Sequence, residues 1–526
     1  MSAEALAPAA PAGRGRVLWG LTVASALLLW LAFPPAAIGA FAWLGLIPLV
    51  LALSQLPPVR GLVHGLAFGV LFMGSICWFV NTLGALPWVA LTLGMAAYYA
   101  VFGLVASLIC QQAPAAARVP ALAAAWTLLE IIRGSAGPIA FTLGDLAYSQ
   151  HAQLPIAQFA SLTGHYGVTF LVALLNAGLA TVLLGMLPRS WRRPGHPLLF
   201  NRLAGRMALV CYLAVFAVYL WGSLVMRVGQ GLERQRGQTG PTLPVAVVQA
   251  VLPIAQQVTR DQIAASVRAY DELSKLSPPA KLIVWPETAV PSVITNDPRN
   301  QQRVKDVAYR EQADLLFGAI EADGAAIHNA AFLARPNGDL TSAYRKCDLV
   351  IFGEYVPFRD QWKFLQRYPI RMQDFTPGSE RRLVPVDHWQ VAPLICYEGI
   401  FPEPAREVAR LGADVIALIT SDLWAAGTTE PAHHSLTGPF RAIETRRYLI
   451  RAASNGVSAV YDPYGEAMDD LPLGIPGVAR AAIPTVNRQT TSYARYGNAP
   501  LILICVTFLV VGLLTRAPLP QPAEGQ

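Results

Sequence analysis

The chain has 526 residues, of which 54% are hydrophobic and only 14% are charged. This composition excludes an ordinary soluble protein, and the length exceeds that of one ordinary domain. The formal net charge of +7 does not indicate a nucleic-acid partner, because much of it comes from arginines in short loops between apolar runs, where they set membrane orientation.

Apolar runs dominate the first part of the chain, and eight runs are candidates for membrane spans, although the first and the fifth are short. They cover residues 17–33, 36–54, 61–84, 87–110, 119–133, 163–187, 206–225 and 498–515. A cleaved signal peptide is the rival interpretation of the first run. Further apolar runs follow at once, which favours a retained helix.

Arginines after these runs indicate the orientation. Arg60 and Arg118 follow the second and fourth runs, four arginines between 189 and 202 follow the sixth, and Arg516 follows the eighth. The positive-inside rule therefore places both chain ends in the cytoplasm and the region before the last run on the opposite side. In a bacterium, the chain would lie in the inner membrane with this region in the periplasm.

These patterns predict a division of the chain into six parts. We expect a cytoplasmic tail over 1–16, a seven-span membrane domain over 17–225, a linker over 226–242, a catalytic domain over 243–490, a final span over 498–515 and a cytoplasmic tail over 516–526.

The fifth apolar run contains two charged residues, Glu130 and Arg133, whose spacing allows them to pair on one helix face. Ionisable groups at membrane depth are candidates for function, but near a span end their charges can also reach the interface. The loop over 134–162 follows on the extracytoplasmic side. Its polar residues, including Gln150 and Gln158, can contact lipid headgroups or be solvated.

Residues 243–490 alternate strand-like apolar runs with helical patterns, which is typical of a layered α/β domain. Strands are predicted at LPVAVVQAV, KLIVWPE, DLLFGAI, NAAFLARP, DLTSAYRK, VAPLI, DVIALIT and VSAVYDP. Helices are predicted at DQIAASVRAYDELSKL and through FRAIETRRYLIRA. The prolines after VAPLICYEG predict a turn that opens a short helix in AREVARLGA.

We interpret Cys396, at the end of the VAPLI strand, as a nucleophile. A strand-to-helix junction presents a side chain to a cleft and places backbone N–H groups near it, which suits a thiolate and an oxyanion. Two alternatives stay open. Cys396 can be a buried structural cysteine, or it can form a disulfide with Cys347, the other cysteine of this region.

Other strand ends carry groups that a thiol nucleophile needs. Glu287 follows KLIVWP and is the candidate base, because only the thiolate attacks. Lys346 ends DLTSAYRK and can stabilise an oxyanion while it lowers the pKa of the thiol, and a salt bridge from Glu354 would orient its amine. Alternatively, Glu287 caps the following segment and Lys346 is a solvated strand end.

Three motifs, WPETAVP, YRKCDLVIFGEYVP and ICYE, occur in the order found in the nitrilase superfamily of Glu-Lys-Cys enzymes. Within it, the chain resembles the apolipoprotein N-acyltransferases, also in WTLLEIIRG, in the region of Gln150 and Gln158, and in GHYGVTFLVALLN. The resemblance covers nearly the whole chain. It implies a polytopic α-helical membrane protein that carries an extracytoplasmic α/β domain with four αββα layers.

The resemblance also implies a ping-pong acyltransferase that is monomeric and needs no cofactor. Cys396 would take a fatty acyl group from a phospholipid, typically phosphatidylethanolamine, as a thioester. The N-terminal amine of the diacylglyceryl-cysteine of an apolipoprotein would then receive this group. Glu287 would act as the base, and Lys346 would stabilise both tetrahedral intermediates.

Further residues are assigned by the same resemblance. Glu398 would support the site, while Tyr397 and Trp424, the latter in SDLW, would shape it. The chain also departs from the family pattern in three places. Ile351 replaces a usual proline, Cys347 and Asp348 replace a common histidine or arginine, and Gln257 and Val258 lie near the place of a Lys-Trp pair.

One segment, VPFRDQWKFLQRYPIR, indicates a lipid substrate independently of the resemblance. Phe358, Trp362 and Leu365 fall at helical spacing, and basic residues repeat every four positions alongside them. This pattern predicts an interfacial arm or lid whose aromatic side lies in lipid and whose basic side faces phosphates. A packed surface helix with a solvated basic face is the alternative.

His433 and His434 have no accompanying cluster with metal-ligand spacing in the sequence, so we expect no metal. Two other classes of function remain open. A membrane-tethered nitrilase-type amidase would use the same residues and hydrolyse its thioester with water. A transporter or receptor with a degenerate nitrilase domain would not need Cys396, but the intact motifs and the scarcity of charge within the apolar runs weigh against it.

Overall fold

The computed structural model describes residues 13–187, 202–252, 259–357, 359, 361 and 374–516. Its first part is helical throughout. The helices are α1 (Arg14–Leu31), α2 (Ala42–Gly45), α3 (Ile47–Ser54), α4 (Pro58–Ile76), α5 (Ala85–Gln112), α6 (Ala115–Gly134), α7 (Leu154–Ala157), α8 (Ala160–Thr163), α9 (His165–Met186) and α10 (Arg202–Thr239).

Within the described ranges, six helices are long and apolar enough to cross a membrane: α1, α4 with the 3-10 turn that extends it to Leu83, α5, α6, α9 and α10. Several long apolar helices are thus confirmed. Two other predicted spans correspond to the shorter apolar segments Gly39–Ser54 and Ala499–Leu514. The number of eight spans therefore stays a prediction.

Two of the predicted elements have different bounds in the structure. The predicted linker over 226–242 is mostly helical, because α10 continues through Thr239, and its Arg, Glu and Gln residues favour a helix. The second predicted span is broken between α2 and α3, where the backbone N–H of Leu46 donates to Asn176 Oδ1 at 2.9 Å. The side chain of Asn176 replaces a helical carbonyl at this break.

Helices α4 and α5 approach closely through glycines. Gly61, Gly65 and Gly69 repeat every four residues along α4, so they lie on one face. A Cβ atom at Gly65 would overlap the backbone oxygen of Tyr99 and would lie 3.0 Å from Gly103 Cα. Small residues at this spacing let two membrane helices pack backbone against backbone.

The second part of the chain contains two β-sheets flanked by helices. The strands are β1 (Thr242–Gln249), β2 (Leu282–Val284), β3 (Val290–Val293), β4 (Asp314–Asp323), β5 (Ala326–Ala334), β6 (Leu340–Arg345), β7 (Val384–Val386), β8 (Trp389–Ile395), β9 (Val415–Thr420), β10 (Tyr448–Ala453), β11 (Ser458–Tyr461), β12 (Ala467–Leu471) and β13 (Gly477–Pro484). The helices are α11 (Arg260–Ser274), α12 (Pro298–Glu311), α13 (Pro402–Leu411), α14 (Glu430–Ser435), α15 (Thr437–Thr445), α16 (Ser492–Tyr496) and α17 (Ala499–Leu514).

The two sheets stack face to face. The first has the order β13-β1-β2-β4-β5-β6, with β3 beside β4, and the second has the order β12-β11-β10-β9-β8-β7. Apolar side chains from both sheets, such as Val247, Leu316 and Ile419, fill the space between them. Helices α11 and α12 cover the outer face of the first sheet, and α13 and α15 cover that of the second. The predicted four-layer αββα arrangement is confirmed.

One predicted helix is wrong in its second half. The segment FRAIETRRYLIRA begins in α15, but the helix ends at Thr445, and Arg446 has a left-handed φ of 52°. The following residues form β10, which lies between β9 and β11 and is buried at every position. A central strand is buried on both faces and is therefore apolar at consecutive positions, which sequence periodicity alone does not separate from a helix.

The segment over 134–162 packs between the two parts of the chain. Gln150 accepts a hydrogen bond from Trp43 Nε1 at 2.8 Å, and Gln158 donates to the backbone oxygen of Tyr464 at 2.8 Å. Both glutamines are fully buried. The expectation that they meet lipid headgroups or water is therefore wrong, because protein groups satisfy their amides.

Candidate active site

The three motif residues follow strands whose ends meet. Lys346 directly follows β6, Cys396 directly follows β8, and Glu287 lies three residues beyond β2. Lys346 Nζ is 3.8 Å from Glu287 Oε1. The charges of Glu287 and Lys346 both shift the pKa of the Cys396 thiol. The structure therefore brings all three side chains close together.

Glu287 is buried, and its two carboxylate oxygens have separate partners. Oε1 accepts a hydrogen bond from Asn329 Nδ2 at 2.7 Å, and Oε2 accepts one from the backbone N–H of Ser421 at 2.8 Å. Neither bond caps the segment after Glu287, as the alternative interpretation required. Gly318 on β4 makes room for this backbone, because a Cβ atom there would lie 2.6 Å from Glu287 Cα.

Lys346 is only 1% exposed and is not a solvated strand end. Its Nζ lies 2.9 Å from Glu354 Oε2, which is the predicted orienting salt bridge. Burial alone would lower the pKa of Lys346, but the carboxylates of Glu354 and Glu287 raise it above its ordinary value. The amine therefore stays protonated and can stabilise an oxyanion.

Asn329 is a site residue that sequence reasoning missed. It lies on β5, and its Nδ2 donates to Glu287 Oε1 at 2.7 Å and to Glu354 Oε1 at 2.8 Å. The only signal in the sequence is a polar residue at the start of the apolar run NAAFL. Asn329 thus holds the two carboxylates on either side of the Lys346 amine.

Cys396 begins a 3-10 turn over Cys396–Gly399. Its φ of 53° lies in the left-handed region, which non-glycine residues rarely adopt. All six cysteines are free, so the disulfide with Cys347 is not formed. Burial and the Glu287 carboxylate raise the pKa of Cys396, and Lys346 lowers it only in part. The resting group is a thiol that needs a base.

Glu398 joins the nucleophile turn to the loop after Lys346. Its Oε2 accepts a hydrogen bond from the backbone N–H of Ile395 at 2.8 Å, and its Oε1 accepts one from the N–H of Cys347 at 2.9 Å. The Tyr344 hydroxyl donates to the same Oε1. The fully buried carboxylate therefore fixes Cys396 relative to Lys346.

Tyr397 and Trp424 both contact the membrane part. The Tyr397 hydroxyl donates to the backbone oxygen of Ala140 at 2.6 Å. The Trp424 ring lies edge-on to Phe79, with 5.8 Å between ring centroids, and is 43% exposed. Trp424 therefore lies at the boundary between the buried site and its surroundings.

An apolar cavity of about 580 Å³ opens between α4 and α5. It is lined by Trp30, Pro35, Val70, Leu71, Gly74, Ser75, Trp78, Trp88, Val89, Thr92, Leu93 and Thr429. Thr429 lies in the loop that follows Trp424. The cavity therefore lies between helices that have exposed apolar side chains and the loop that follows Trp424.

Asp422, Glu430 and His434 form a buried cluster whose possible metal-ligand atoms lie within 4.8 Å of one another. Asp422 already has two partners, because Oδ2 lies 3.0 Å from Arg451 NH2 and Oδ1 lies 3.0 Å from His434 Nδ1. Although burial opposes it, Arg451 and His434 hold the pKa of Asp422 well below its usual range. The expectation that no cluster accompanies His434 is therefore wrong, because the fold brings Asp422 and Glu430 to it from other positions of the chain.

The predicted pair of Glu130 and Arg133 is not formed. Glu130 accepts hydrogen bonds from Trp126 Nε1 at 2.8 Å and from the backbone N–H of Leu146 at 3.0 Å. Arg133 pairs with Asp145 instead. The prediction is wrong because both charges turn toward the segment that follows α6, which is buried and is not an outer loop.

Some predicted site residues lie outside the described ranges: Phe358, Trp362 and Leu365 of the lipid-facing arm, and Gln257 and Val258. Arg359, within the arm segment, has its NH2 2.9 Å from Asp374 Oδ1. Ile351 forms an isolated β-bridge with Tyr355 in the loop that carries Glu354. The lipid-facing arm therefore stays a prediction.

Two family models match the chain. Residues 25–178 match the apolipoprotein N-acyltransferase N-terminal domain, and residues 244–493 match the carbon–nitrogen hydrolase domain. The apolipoprotein N-acyltransferase of Geobacter metallireducens is 30% identical over 500 residues, which cover 91% of each chain. That of Pseudomonas putida is 29% identical over 514 residues, which cover 94% of this chain and 96% of the relative.

Among solved structures, the crystal structure of Saccharomyces cerevisiae Nit3, a member of branch 10 of the nitrilase superfamily, is similar to about half of this chain. The two are 20% identical, and the match covers 47% of this chain and 91% of Nit3 with a TM-score of 0.37.

Proposed function

The chain belongs to the apolipoprotein N-acyltransferase family, and on this basis we propose that it transfers a fatty acyl group from a phospholipid to the N-terminal amine of diacylated apolipoproteins, through a thioester on Cys396. The relatives and the carbon–nitrogen hydrolase domain support lipoprotein N-acylation as the class of reaction. The phospholipid donor, the ping-pong order and the Glu287–Lys346–Cys396 triad are the finer parts of the proposal.

One observation carries these finer parts. A buried, protonated Lys346 lies between two carboxylates and acts, together with Glu287, on a thiol in a strained turn. A fixed cation next to a nucleophile and a base is what acyl transfer requires, because the developing oxyanion then meets a donor that needs no reorganisation. This arrangement supports Cys396 as the nucleophile and Glu287 as the base.

In the first half-reaction, Glu287 takes the proton of the Cys396 thiol, and the sulfur attacks the ester carbonyl of the phospholipid. Lys346 stabilises the oxyanion of the tetrahedral intermediate. Collapse breaks the ester C–O bond, and the leaving alkoxide takes the proton from Glu287. The products are lysophospholipid and an acyl thioester on Cys396.

In the second half-reaction, the neutral α-amine of the diacylglyceryl-cysteine attacks the thioester carbonyl. Lys346 again stabilises the oxyanion, Glu287 takes a proton from the amine, and the Cys396 sulfur leaves and is protonated again. The net reaction exchanges one ester bond for one amide bond. It needs no metal, oxidant or other co-reactant.

The cavity between α4 and α5 supports a lipid donor. Its volume of about 580 Å³ and its apolar lining suit acyl chains, and it opens between helices that can cross a membrane. Because Thr429 lines it and lies close in sequence to Trp424, an acyl chain in the cavity would end near the site. Phosphatidylethanolamine is the donor that we propose, from the family resemblance.

The apolar helices and the relatives indicate a multi-pass bacterial membrane protein. Beyond this, we propose the inner membrane, a monomer, cytoplasmic tails over 1–16 and 516–526, a membrane domain over 17–225, a final span over 498–515 and a periplasmic catalytic domain over 243–490. The arginines after alternate apolar runs support this orientation.

A two-substrate assay tests the proposal. The purified full chain receives phosphatidylethanolamine with a labelled acyl chain and a peptide that begins with diacylglyceryl-cysteine. We expect equal amounts of lysophospholipid and N-acylated peptide, and neither product from Cys396→Ala. Labelled free fatty acid in place of N-acylated peptide would identify a hydrolase instead, and wild-type yields from Cys396→Ala would exclude the thioester.

A further inference from the structure

The backbone carbonyl of Ile400, immediately after the nucleophile turn, has two donors from the membrane part and one, Arg441, from the catalytic domain. The Thr142 hydroxyl donates to it at 2.9 Å, the Tyr148 hydroxyl at 3.2 Å and Arg441 NH1 at 3.4 Å. A carbonyl oxygen has two lone pairs, so the two hydroxyls can fill them and the guanidinium adds charge. Thr142 and Tyr148 both belong to the buried segment after α6.

The same segment also holds the other part of the turn. The Tyr397 hydroxyl donates to the backbone oxygen of Ala140 at 2.6 Å. Residues 140–148 therefore hold the turn through hydrogen bonds at Tyr397 and at Ile400, which lie one residue and four residues after Cys396. Two fixed points on so short a stretch leave its backbone little freedom to rotate.

These hydrogen bonds matter because Cys396 has an unfavourable backbone conformation. A non-glycine residue at a φ of 53° is strained and persists only where the surrounding structure fixes it. Glu398 fixes the turn from inside the catalytic domain through the N–H of Ile395. Thr142 and Tyr148 fix it from the membrane side.

Residues 140–148 are themselves anchored to two membrane helices. Asp145 pairs with Arg133 of α6 and lies 3.0 Å from His165 Nε2 of α9. Arg441 is held by Glu444, with 2.9 Å between Nε and Oε2, and Glu444 accepts a hydrogen bond from the backbone N–H of His165. Arg441 is 1% exposed and the other four residues are fully buried. Helices α6 and α9 therefore hold the residues that fix the position of the turn.

We propose that Thr142 and Tyr148 are positioning residues for the reaction: by fixing the Ile400 carbonyl they orient the Cys396 turn, so the membrane part completes the nucleophile of the catalytic domain. The proposal rests on the function proposed above, in which Cys396 forms the thioester. Neither residue touches the reacting atoms, and both act through the turn.

The test uses the full chain and the variants Thr142→Val, Tyr148→Phe and their combination. Three quantities are measured: the single-turnover rate of acyl-enzyme formation, the rate of Cys396 alkylation by a haloacetamide across pH, and the melting temperature. Alkylation is read on the Cys396 peptide by mass spectrometry, because five other cysteines are present. It requires no lipid substrate.

We expect the double variant to form acyl-enzyme about 10- to 100-fold more slowly, since two hydrogen bonds to one buried carbonyl are lost. The pH profile of alkylation should shift, while the melting temperature stays within a few degrees. Thr142→Ser keeps the hydroxyl and should keep the wild-type rate. This rescue separates positioning from a general effect on packing.

Matched controls remove hydroxyls that do not reach the turn. Thr127→Val removes a hydroxyl that donates within its own helix to the Ala123 oxygen at 2.9 Å. Tyr493→Phe removes a buried hydroxyl with no hydrogen-bond partner among the described residues. Both controls should acylate at the wild-type rate.

A double variant that acylates and alkylates like the wild type would overturn the proposal. So would a slower rate that is fully explained by a smaller folded fraction. If the wild type itself forms no acyl-enzyme, the proposed function fails, and the alkylation profiles still decide this inference. A profile that differs between wild type and double variant supports positioning, and identical profiles refute it.

Discussion

At the scale of residues, the distances to the Lys346 amine divide the roles of two carboxylates. Glu354 Oε2 is 2.9 Å from Nζ, whereas Glu287 Oε1 is 3.8 Å away. Although burial opposes it, Lys346 and a hydrogen bond from Asn329 hold the pKa of Glu354 below its usual range. Glu354 thus stays charged and orients the amine, while Glu287 remains available to the Cys396 thiol.

The bridging amide of Asn329 gives a prediction for catalysis. Asn329→Leu removes the donors to Glu287 and Glu354, so both buried carboxylates lose a charge-assisted hydrogen bond. We expect the rate of acyl-enzyme formation to fall about 10- to 100-fold. Asn337→Leu, in an exposed hairpin where the amide bonds to Asp339, is the matched control. Equal single-turnover rates for the two variants would contradict this role.

The sequence was sufficient to place Glu287, Lys346, Glu354 and Cys396 at one site. Glu287, Lys346 and Cys396 each lie at or just beyond the end of a predicted strand, and strand ends in a layered sheet converge. Glu354 was placed there by the salt bridge expected with Lys346. Asn329 was not predictable in the same way. Its function depends on two residues, 42 and 25 positions away, that meet only after the sheets have formed.

A buried histidine gives a prediction for stability. Burial lowers the pKa of His433 to about 4, and its ring stacks on Phe33 of the membrane part. An unfolded histidine titrates near ~6.5, so the unfolded state binds more protons between the two values. The contribution of neutral His433 to the free energy of unfolding is therefore fully present above pH ~6.5. It falls by about 3 kcal/mol as the pH drops to about 4.

We expect the melting temperature of His433→Phe to fall less than that of the wild type between pH 7 and pH 5. The variant lacks the histidine that takes up a proton when the wild type unfolds. His388→Phe alters an exposed histidine and should keep the wild-type dependence. The measurement is thermal unfolding at several pH values. An unchanged pH dependence in His433→Phe would show that other groups control acid unfolding.

At the scale of elements, the glycine face of α4 predicts where the membrane part is least tolerant. Gly65→Val would drive a side chain into the backbone of α5, so we expect strong destabilisation and loss of the cavity between the two helices. Gly94→Val, on the exposed side of α5 with open space around it, is the control. Melting temperatures in detergent compare the two. A similar effect of both substitutions would contradict packing through this face.

Elements differed from their predictions where long-range packing decides local structure. All six residues of β10 are buried, and five of them are not charged, so the sequence pattern alone fits a buried helix as well as a central strand. The segment over 134–162 was predicted as an outer loop whose polar residues meet lipid headgroups or water. Its polar groups are instead satisfied by residues such as Trp43 and Tyr464, which lie far away in the chain.

At the scale of the whole molecule, α10 joins the two parts directly. Its 38 residues span about 57 Å, which exceeds a hydrocarbon core of ~30 Å. The far end contacts the catalytic domain, where the Tyr448 hydroxyl donates to Glu233 at 3.0 Å and Gln230 donates to Asp462 at 3.0 Å. The catalytic domain is therefore held beside the helices that can cross a membrane.

The proposed orientation predicts which side of the membrane the start of α1 and the catalytic domain face. In a background with Cys347→Ser and Cys396→Ser, a membrane-impermeant maleimide should label Asn337→Cys in intact spheroplasts, since we place the catalytic domain in the periplasm. Gly13→Cys, before α1, should react only after permeabilisation. Labelling of Gly13→Cys in intact spheroplasts would contradict the orientation drawn from the arginines.

The acyl-enzyme itself tests the central claim most directly. Intact-protein mass spectrometry of the full chain, purified in phospholipid-containing micelles without acceptor, is compared with that of Cys396→Ala. We predict an added mass of one fatty acyl group that neutral hydroxylamine removes and that the variant lacks. An unmodified wild-type chain, or an adduct of equal mass on Cys396→Ala, would contradict a thioester on Cys396.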